Sequence, residues 1–387
     1  MADRAAVAGK SAESWRAVRA VLTANRHELG RVAARLYPEV PRAGGADLLC
    51  REEWVPAEPV SLDELALSWD GDPANRDGVG PERYAEASRG VRPQRAAGER
   101  YASYTDAVAA LDRPALFENR PCYRLLDARL TAPAGLRIGE TSYFEGIDLG
   151  HAVAHELAAA WERSGDAVSM ADLPLRALAG DPCALPRRQS LIAVTTLTLR
   201  RDAAGSASFV LHWRDPAKVN HGGGLYQVMP VGLFQPVTSA AAALRHDLSL
   251  WKSMAREFSE EFLGTSEDYP TSGGLLDYDG WPFYRRLTGA MGEGRLTVRC
   301  LGLGVDPLSF ATDLLAVAVF DADLFDAEFA GLVARNAEGR VITGGGSAGI
   351  PFTAETVGRL TDGREPFQAA GAALLRLAWE QRKHLLG

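Results

Sequence analysis

Three glutamates, Glu257, Glu260 and Glu261, fall within the stretch WKSMAREFSEEFLG, residues 251–264. On a helix Glu257 and Glu261 are i,i+4 neighbours, and Glu257 and Glu260 are i,i+3 neighbours, so their carboxylates repel one another. With Phe258 at the centre of a wheel of about 100° per residue, Leu250, Trp251, Met254, Ala255 and Phe262 fall within about 80° on either side. The glutamates gather on one flank of that apolar stripe, with Arg256 and Lys252 on the other side. A fold tolerates such crowding most readily when a cation sits among the acids. Oxygen donors presented from one helical face suit Mg²⁺ or Mn²⁺, which prefer carboxylates and retain water. The plain alternative is a solvated acidic edge relieved by arginines.

Other residue groups offer competing chemistry. His212, Arg214 and Lys218 follow a strand-like run and could hold phosphates, or form an ordinary basic edge. His151 and His155 stand at i,i+4 beside Glu156 in HAVAHELAAAW, a spacing that can clamp zinc. No HExxH order accompanies them and no third ligand can be named, so a helix with its histidines at an interface is the simpler reading. His221-Gly222-Gly223-Gly224 and Gly345-Gly346-Ser347-Ala348-Gly349 imitate an esterase oxyanion loop and nucleophile elbow. Pro351 follows at once and only His384 remains downstream, so a Gly-rich loop near a pocket is expected there instead. Asp306, Asp313, Asp321 and Asp323 flank the late strands as caps and turn residues, any one of which could serve as an acid.

These groups must be positioned by the elements around them. A chain of 387 residues suggests two domains. The Pro-containing connection 181–188 divides it into residues 1–188 and 189–387. Helical periodicity marks 14–36, 149–164, 251–264 and 369–386; alternation marks strands at 123–130 and 136–144. A hairpin is expected from 190–199 and 206–213 around the turn 202–205, followed by LYQVMPVG as one strand and by late strands at 295–302 and 314–320. The mixture indicates an α+β fold. With a net charge of −8, the chain lacks the basic surface that nucleic acid needs. Its longest apolar run, 314–320, is far short of a membrane span. Four scattered cysteines and no leader-like N-terminus fit a cytoplasmic protein with packed thiols. A homodimer is left open.

Arg256-Glu257-Phe258-Ser259-Glu260-Glu261 resembles the signature helix of the Nudix superfamily, Arg-Glu-hydrophobe-x-Glu-Glu. The hairpin ending in LHWRDPAK, the Gly-rich passage, LYQVMPVG, the helix and two late strands also resemble the order of that fold across 190–329. The same region is similar to uncharacterised actinobacterial proteins, some labelled helix-turn-helix regulators, although no such motif is evident in this chain. The resemblance implies a mixed-sheet α/β/α domain after the N-terminal α+β domain. It also implies metal-dependent hydrolysis of a nucleoside-diphosphate-linked or related diphosphate small molecule. Glu257, Glu260 and Glu261 then become metal ligands and catalytic groups, Glu257 a candidate base and Arg256 an orienting residue. Gly232, His212, Arg214 and Lys218 become substrate-binding. The chain departs from the pattern at several points. Gly232 lies 24 residues before Arg256, no Glu stands between them, Asp247 is the only acid there, and Leu233 replaces a glycine. Those departures favour the alternative of a catalytically divergent ligand sensor or tailoring enzyme.

Residues 70–100 carry Arg76, Arg83, Arg89, Arg92, Arg95 and Arg100 among Gly, Pro and Asp. They read as a long loop that could fold over the acidic cleft as a lid.

Overall fold

The most apolar runs of the second half, Ile192–Arg201 and Thr312–Asp321, lie side by side in parallel, with Ile192 opposite Thr312 and Arg201 opposite Asp321. Their near-continuous Val, Leu, Ala and Thr suits strands covered on both faces. The computed structural model describes residues 2–70, 81–96, 99–115, 117–215, 223–266, 269, 271–336, 339–343 and 349–387. Leu296–Val305 adds antiparallel to Thr312–Asp321, and Val60–Ser61 from the N-terminal half closes that edge on Cys300 and Arg299. On the other side of Ile192–Arg201, Val231–Leu233 pairs with its beginning and Ala207–Phe209 with its end. Ile350–Pro351 follows Ala207–Phe209, which makes a seven-stranded mixed sheet among the described residues.

Two layers of helix cover this sheet. Leu315 lies on the face where it and Leu377, of helix Ala369–Glu380, approach Gly302. Phe320, five residues along the same strand, meets Phe258 of helix Leu250–Leu263 with ring centroids 5.5 Å apart. An odd separation on a strand puts side chains on opposite faces, so the two helices sandwich the sheet. The α+β class and the α/β/α layering of this half follow.

Two expected strands are broken. The run 206–213 divides at Val210, because Ala207–Phe209 stays with the large sheet while Leu211–Arg214 turns to pair with Tyr226–Val228 and Gly339–Ile342. LYQVMPVG divides at Met229-Pro230 into Tyr226–Val228 and Val231–Leu233, one in each sheet. Proline has no N–H for a ladder, so a strand passes from one sheet to another most easily there.

The N-terminal half has its own three-stranded sheet, with Gly135–Ser142 between Ala66–Trp69 and Pro121–Arg129. The following helix starts at Tyr143, earlier than the apolar periodicity indicates. A capping box of Ser142 and Glu145 satisfies its first turn. Residues on both sides of 188 contribute to one hydrophobic cluster, and Tyr123 N–H donates to Phe234 O at 3.3 Å. All four cysteines are free and buried. No helix among the described residues is long and apolar enough to cross a membrane.

Of the Arg-rich segment, 71–80 and 97–98 lie outside the described residues. The described remainder makes its side-chain hydrogen bonds with the N-terminal half. Pro81–Ala87 and Ser88–Val91 rest on the N-terminal helices, where Trp15 Nε1 donates to Val91 O at 3.0 Å and Tyr84 hydrogen-bonds Asp148. Arg92 is buried and donates to the carbonyls of Tyr101 and Ala102 at 3.0 and 2.6 Å. That arginine is an internal brace, so the charge counted toward a lid is partly consumed in folding.

Candidate functional site

The acidic helix begins where Ser249 Oγ accepts from Lys252 N–H at 3.3 Å. It ends at Gly264, whose φ of 66° gives the left-handed cap and whose N–H returns to Glu260 O at 3.0 Å. Between them, Leu250, Trp251, Met254, Ala255, Phe258 and Phe262 are all buried, as the wheel predicts. Phe258 and Phe262 pack on Phe329, with centroids 5.9 and 4.7 Å away. This packing fixes the rotation of the helix and therefore the direction of its acidic flank.

The glutamates divide between two environments. Glu257 is half-buried, and its carboxylate lies directly against Gly232 of strand Val231–Leu233; a Cβ on Gly232 would come within 1.8 Å of it. Glu260, also half-buried, accepts from the Tyr269 hydroxyl at 2.7 Å. Burial first, then the charges of Glu260 and Glu257, push the Tyr269 phenol well above its ordinary range. Tyr269 is thus a fixed donor, and both carboxylates act on the same spot. Glu261 is buried. Its Oε1 accepts from Val231 N–H at 2.7 Å, and its Oε2 stands 3.6 Å from Nδ1 of His212. His212 is itself fully buried, in a space so narrow that a Cβ on Gly339 would lie 2.9 Å from its Nε2. The structure therefore brings Gly232, His212, Glu257, Glu260 and Glu261 together around one end of two strands and one helix flank.

Behind this flank stands a buried polar cluster. Arg256 donates to the Tyr278 hydroxyl at 2.9 Å and to Gln235 O at 2.7 Å, and lies 3.7 Å from Asp247 Oδ2. Asp247, fully buried, also accepts from Val237 N–H at 2.8 Å. Burial opposes the Arg256 charge, yet Tyr278, Asp247, Glu257 and Glu260 together leave its pKa raised. Arg256 is held as a cation between the helix and the chain leading from Val231–Leu233. Tyr278 stands 5.1 Å from Tyr284 and 6.4 Å from Trp281, and Tyr269 lies 5.3 Å from Trp281. The sequence signal for this cluster is the crowding of Tyr269, Tyr278, Trp281 and Tyr284 into one short stretch.

The remaining candidates go elsewhere. Arg214 is nearly buried, and its charge acts on Asp313 and Arg26. Lys218, His221, Gly222 and Ser347 lie outside the described residues. Asp321 pairs with Arg201 and Asp323 with Arg295, each at 2.7 Å. Asp313, fully enclosed, accepts from Thr195 Oγ1 at 2.7 Å, and burial pushes its carboxyl up to about 7. His155 is stacked on Trp15 at 5.7 Å and hydrogen-bonded to Tyr104 at 3.0 Å; burial lowers its pKa to about 3 and keeps it neutral. Glu156 accepts from the N–H groups of Leu175 and Arg176 at 2.8 and 2.9 Å, so it caps the helix Pro174–Ala179. His155 and Glu156 are packing and capping residues.

Among the described residues no three His, Cys, Asp or Glu side chains converge as a metal-binding group. Glu257 and Glu260 alone share the half-exposed flank. A pair of carboxylates fits Mg²⁺ or Mn²⁺, because such ions keep several waters and complete their shell with substrate phosphates. No protein-family model matches the chain, and a search of curated proteins finds no match.

Proposed function

We propose that the protein is a Nudix-like, Mg²⁺- or Mn²⁺-dependent hydrolase of a diphosphate-linked small molecule. In this reading Glu257 and Glu260 hold the metal and Glu261 braces the site. The observation that carries this reading is the seating of the Glu257 carboxylate on Gly232. It joins the helix flank to the glycine strand, the two pieces that the motif resemblance assigns to one site. The absence of a side chain at Gly232 is what lets the acid lie directly on that strand. The Tyr269 hydroxyl fixes the orientation of the Glu260 carboxylate by donating to its Oε1. The Asp247–Arg256–Tyr278 cluster holds the helix against the strand, so the two carboxylates are oriented before anything binds. A divalent ion there would lower the pKa of a bound water and screen the charge of a diphosphate.

A second reading, ligand binding without hydrolysis, is favoured by Glu261. Its two oxygens face Val231 N–H and His212, away from the shared flank. The experiment incubates the full chain with ADP-ribose, UDP-glucose and a dinucleotide in Mg²⁺ or Mn²⁺, following phosphomonoester formation by ³¹P NMR. Metal-dependent turnover of one compound supports the hydrolase. Saturable metal-dependent binding without turnover supports the second reading. Neither turnover nor binding overturns both.

A further inference from the structure

Gly232 lies against Glu257, and Asp247 against Arg256, so the chain between them relates the glycine strand to the acid that holds the arginine. That chain is gripped near both ends by one residue of the N-terminal half. Tyr123, fully buried on strand Pro121–Arg129, donates its N–H to Phe234 O at 3.3 Å and its hydroxyl to Leu244 O at 3.0 Å. Its ring packs on Phe234 with centroids 4.4 Å apart, and Trp69 of the same N-terminal sheet meets it edge-on at 6.2 Å.

The hydroxyl bond falls on the turn that delivers Asp247. Leu244 belongs to the one-turn helix Ala243–His246, and the last carbonyls of a helix have no partner within it. Asp247 closes this turn, its N–H donating to Ala243 O at 2.8 Å. Arg245 of the same turn lies over the Trp69 ring at 4.5 Å, a cation–π contact that ties the turn to the N-terminal sheet a second time. Asp247 then enters the core, where its Oδ2 accepts from Val237 N–H at 2.8 Å and stands 3.7 Å from Arg256 Nη1. Arg256 precedes Glu257 on the glutamate helix, so a shift of Asp247 bears directly on how that helix is seated.

We propose that Tyr123 is a positioning residue for the glutamate flank, an assignment that rests on the metal site read above. Its hydroxyl fixes the turn 243–246, the turn fixes Asp247, and Asp247 fixes Arg256 and with it the direction of Glu257 and Glu260. The N-terminal half thereby supplies part of the outer support of the site. Outer support of this kind sets how well a pair of carboxylates is preorganised for a cation.

A Mn²⁺ titration of the full chain by electron paramagnetic resonance, with methylene-bridged ADP present, tests this on the parent, Tyr123→Phe and Tyr104→Phe. Tyr104→Phe is the control, because it removes the same group, a buried phenolic hydroxyl, elsewhere in the N-terminal half, where it hydrogen-bonds His155 at 3.0 Å. Tyr123→Phe should weaken Mn²⁺ about tenfold, while Tyr104→Phe should keep the parental affinity. Hydrogen exchange of the Val237 amide, followed without metal, should be faster in Tyr123→Phe than in Tyr104→Phe, because its acceptor is Asp247. A parent that binds no Mn²⁺ would overturn the metal site and the positioning role together. Parental Mn²⁺ affinity in Tyr123→Phe, an equal weakening in Tyr104→Phe, or Val237 exchange no faster in Tyr123→Phe than in Tyr104→Phe would overturn the positioning role alone.

Discussion

Glu261→Ala should separate the brace from the ligand-holding acids. The Glu261 carboxylate is enclosed and accepts from Val231 N–H at 2.7 Å. Truncation leaves that N–H without its acceptor, at a cost of about 1–3 kcal/mol. It also removes one buried methylene, worth about 0.8 kcal/mol. The total is about 2–4 kcal/mol. Glu261→Gln keeps an oxygen for the N–H and should recover much of the loss. Glu257→Ala changes a half-exposed side chain and relieves like-charge crowding, so its cost should stay below that of Glu261→Ala. Urea unfolding followed by tryptophan fluorescence measures all three against the parent. A Glu261→Ala loss no larger than that of Glu257→Ala would refute the division of the glutamates into brace and ligand-holding pair.

Gly232→Ala should cost about 0.5–1.5 kcal/mol, the rotamer strain of displacing the far end of the flexible Glu257 side chain. Metal-dependent stabilisation should nevertheless fall in a thermal melt; an unchanged metal response would separate Gly232 from the site. Arg256→Met should leave Asp247 charged and enclosed without its cation, lowering stability by about 3–5 kcal/mol in urea unfolding. A loss below about 1 kcal/mol would mean that the pair is not held as described. Asp313 should make stability fall as pH rises. Its carboxyl is raised to about 7 by burial in the folded state and titrates near 4 when unfolded, so the folded chain holds the extra proton across that window. Asp313→Asn should flatten the decline between about pH 4 and 7, and an equally steep decline in the variant would contradict the assignment.

The acidic helix was legible in the sequence to its ends. A sustained apolar stripe and a terminal glycine act locally, and the packing of Phe258 and Phe262 obeys them. The parallel pair Ile192–Arg201 and Thr312–Asp321 was visible as two apolar runs, but their pairing was not, since partners so distant are chosen by the whole core. The break at Val210 and the switch at Pro230 depend on which sheet each half joins, a tertiary choice that alternation does not encode. At the site, the spacing placed three glutamates on one flank. It could not show that Glu261 turns inward to His212, because that contact joins a strand and a helix 49 positions apart. Asp247 was noticed only as a departure from a motif, whereas it is the buried partner of Arg256. The arginines of 81–100 read as part of a long loop, yet Arg92 satisfies carbonyls that a helix and a turn leave open.

The most direct measurement is a Mn²⁺ titration followed by electron paramagnetic resonance, run with and without a methylene-bridged ADP. The account predicts one saturable Mn²⁺ site in the parent, tightened by the diphosphate. That site should disappear in Glu257→Gln/Glu260→Gln and survive in Glu261→Gln. A parent that binds no Mn²⁺ even with the diphosphate, or a double variant that binds it as the parent does, would contradict the metal site.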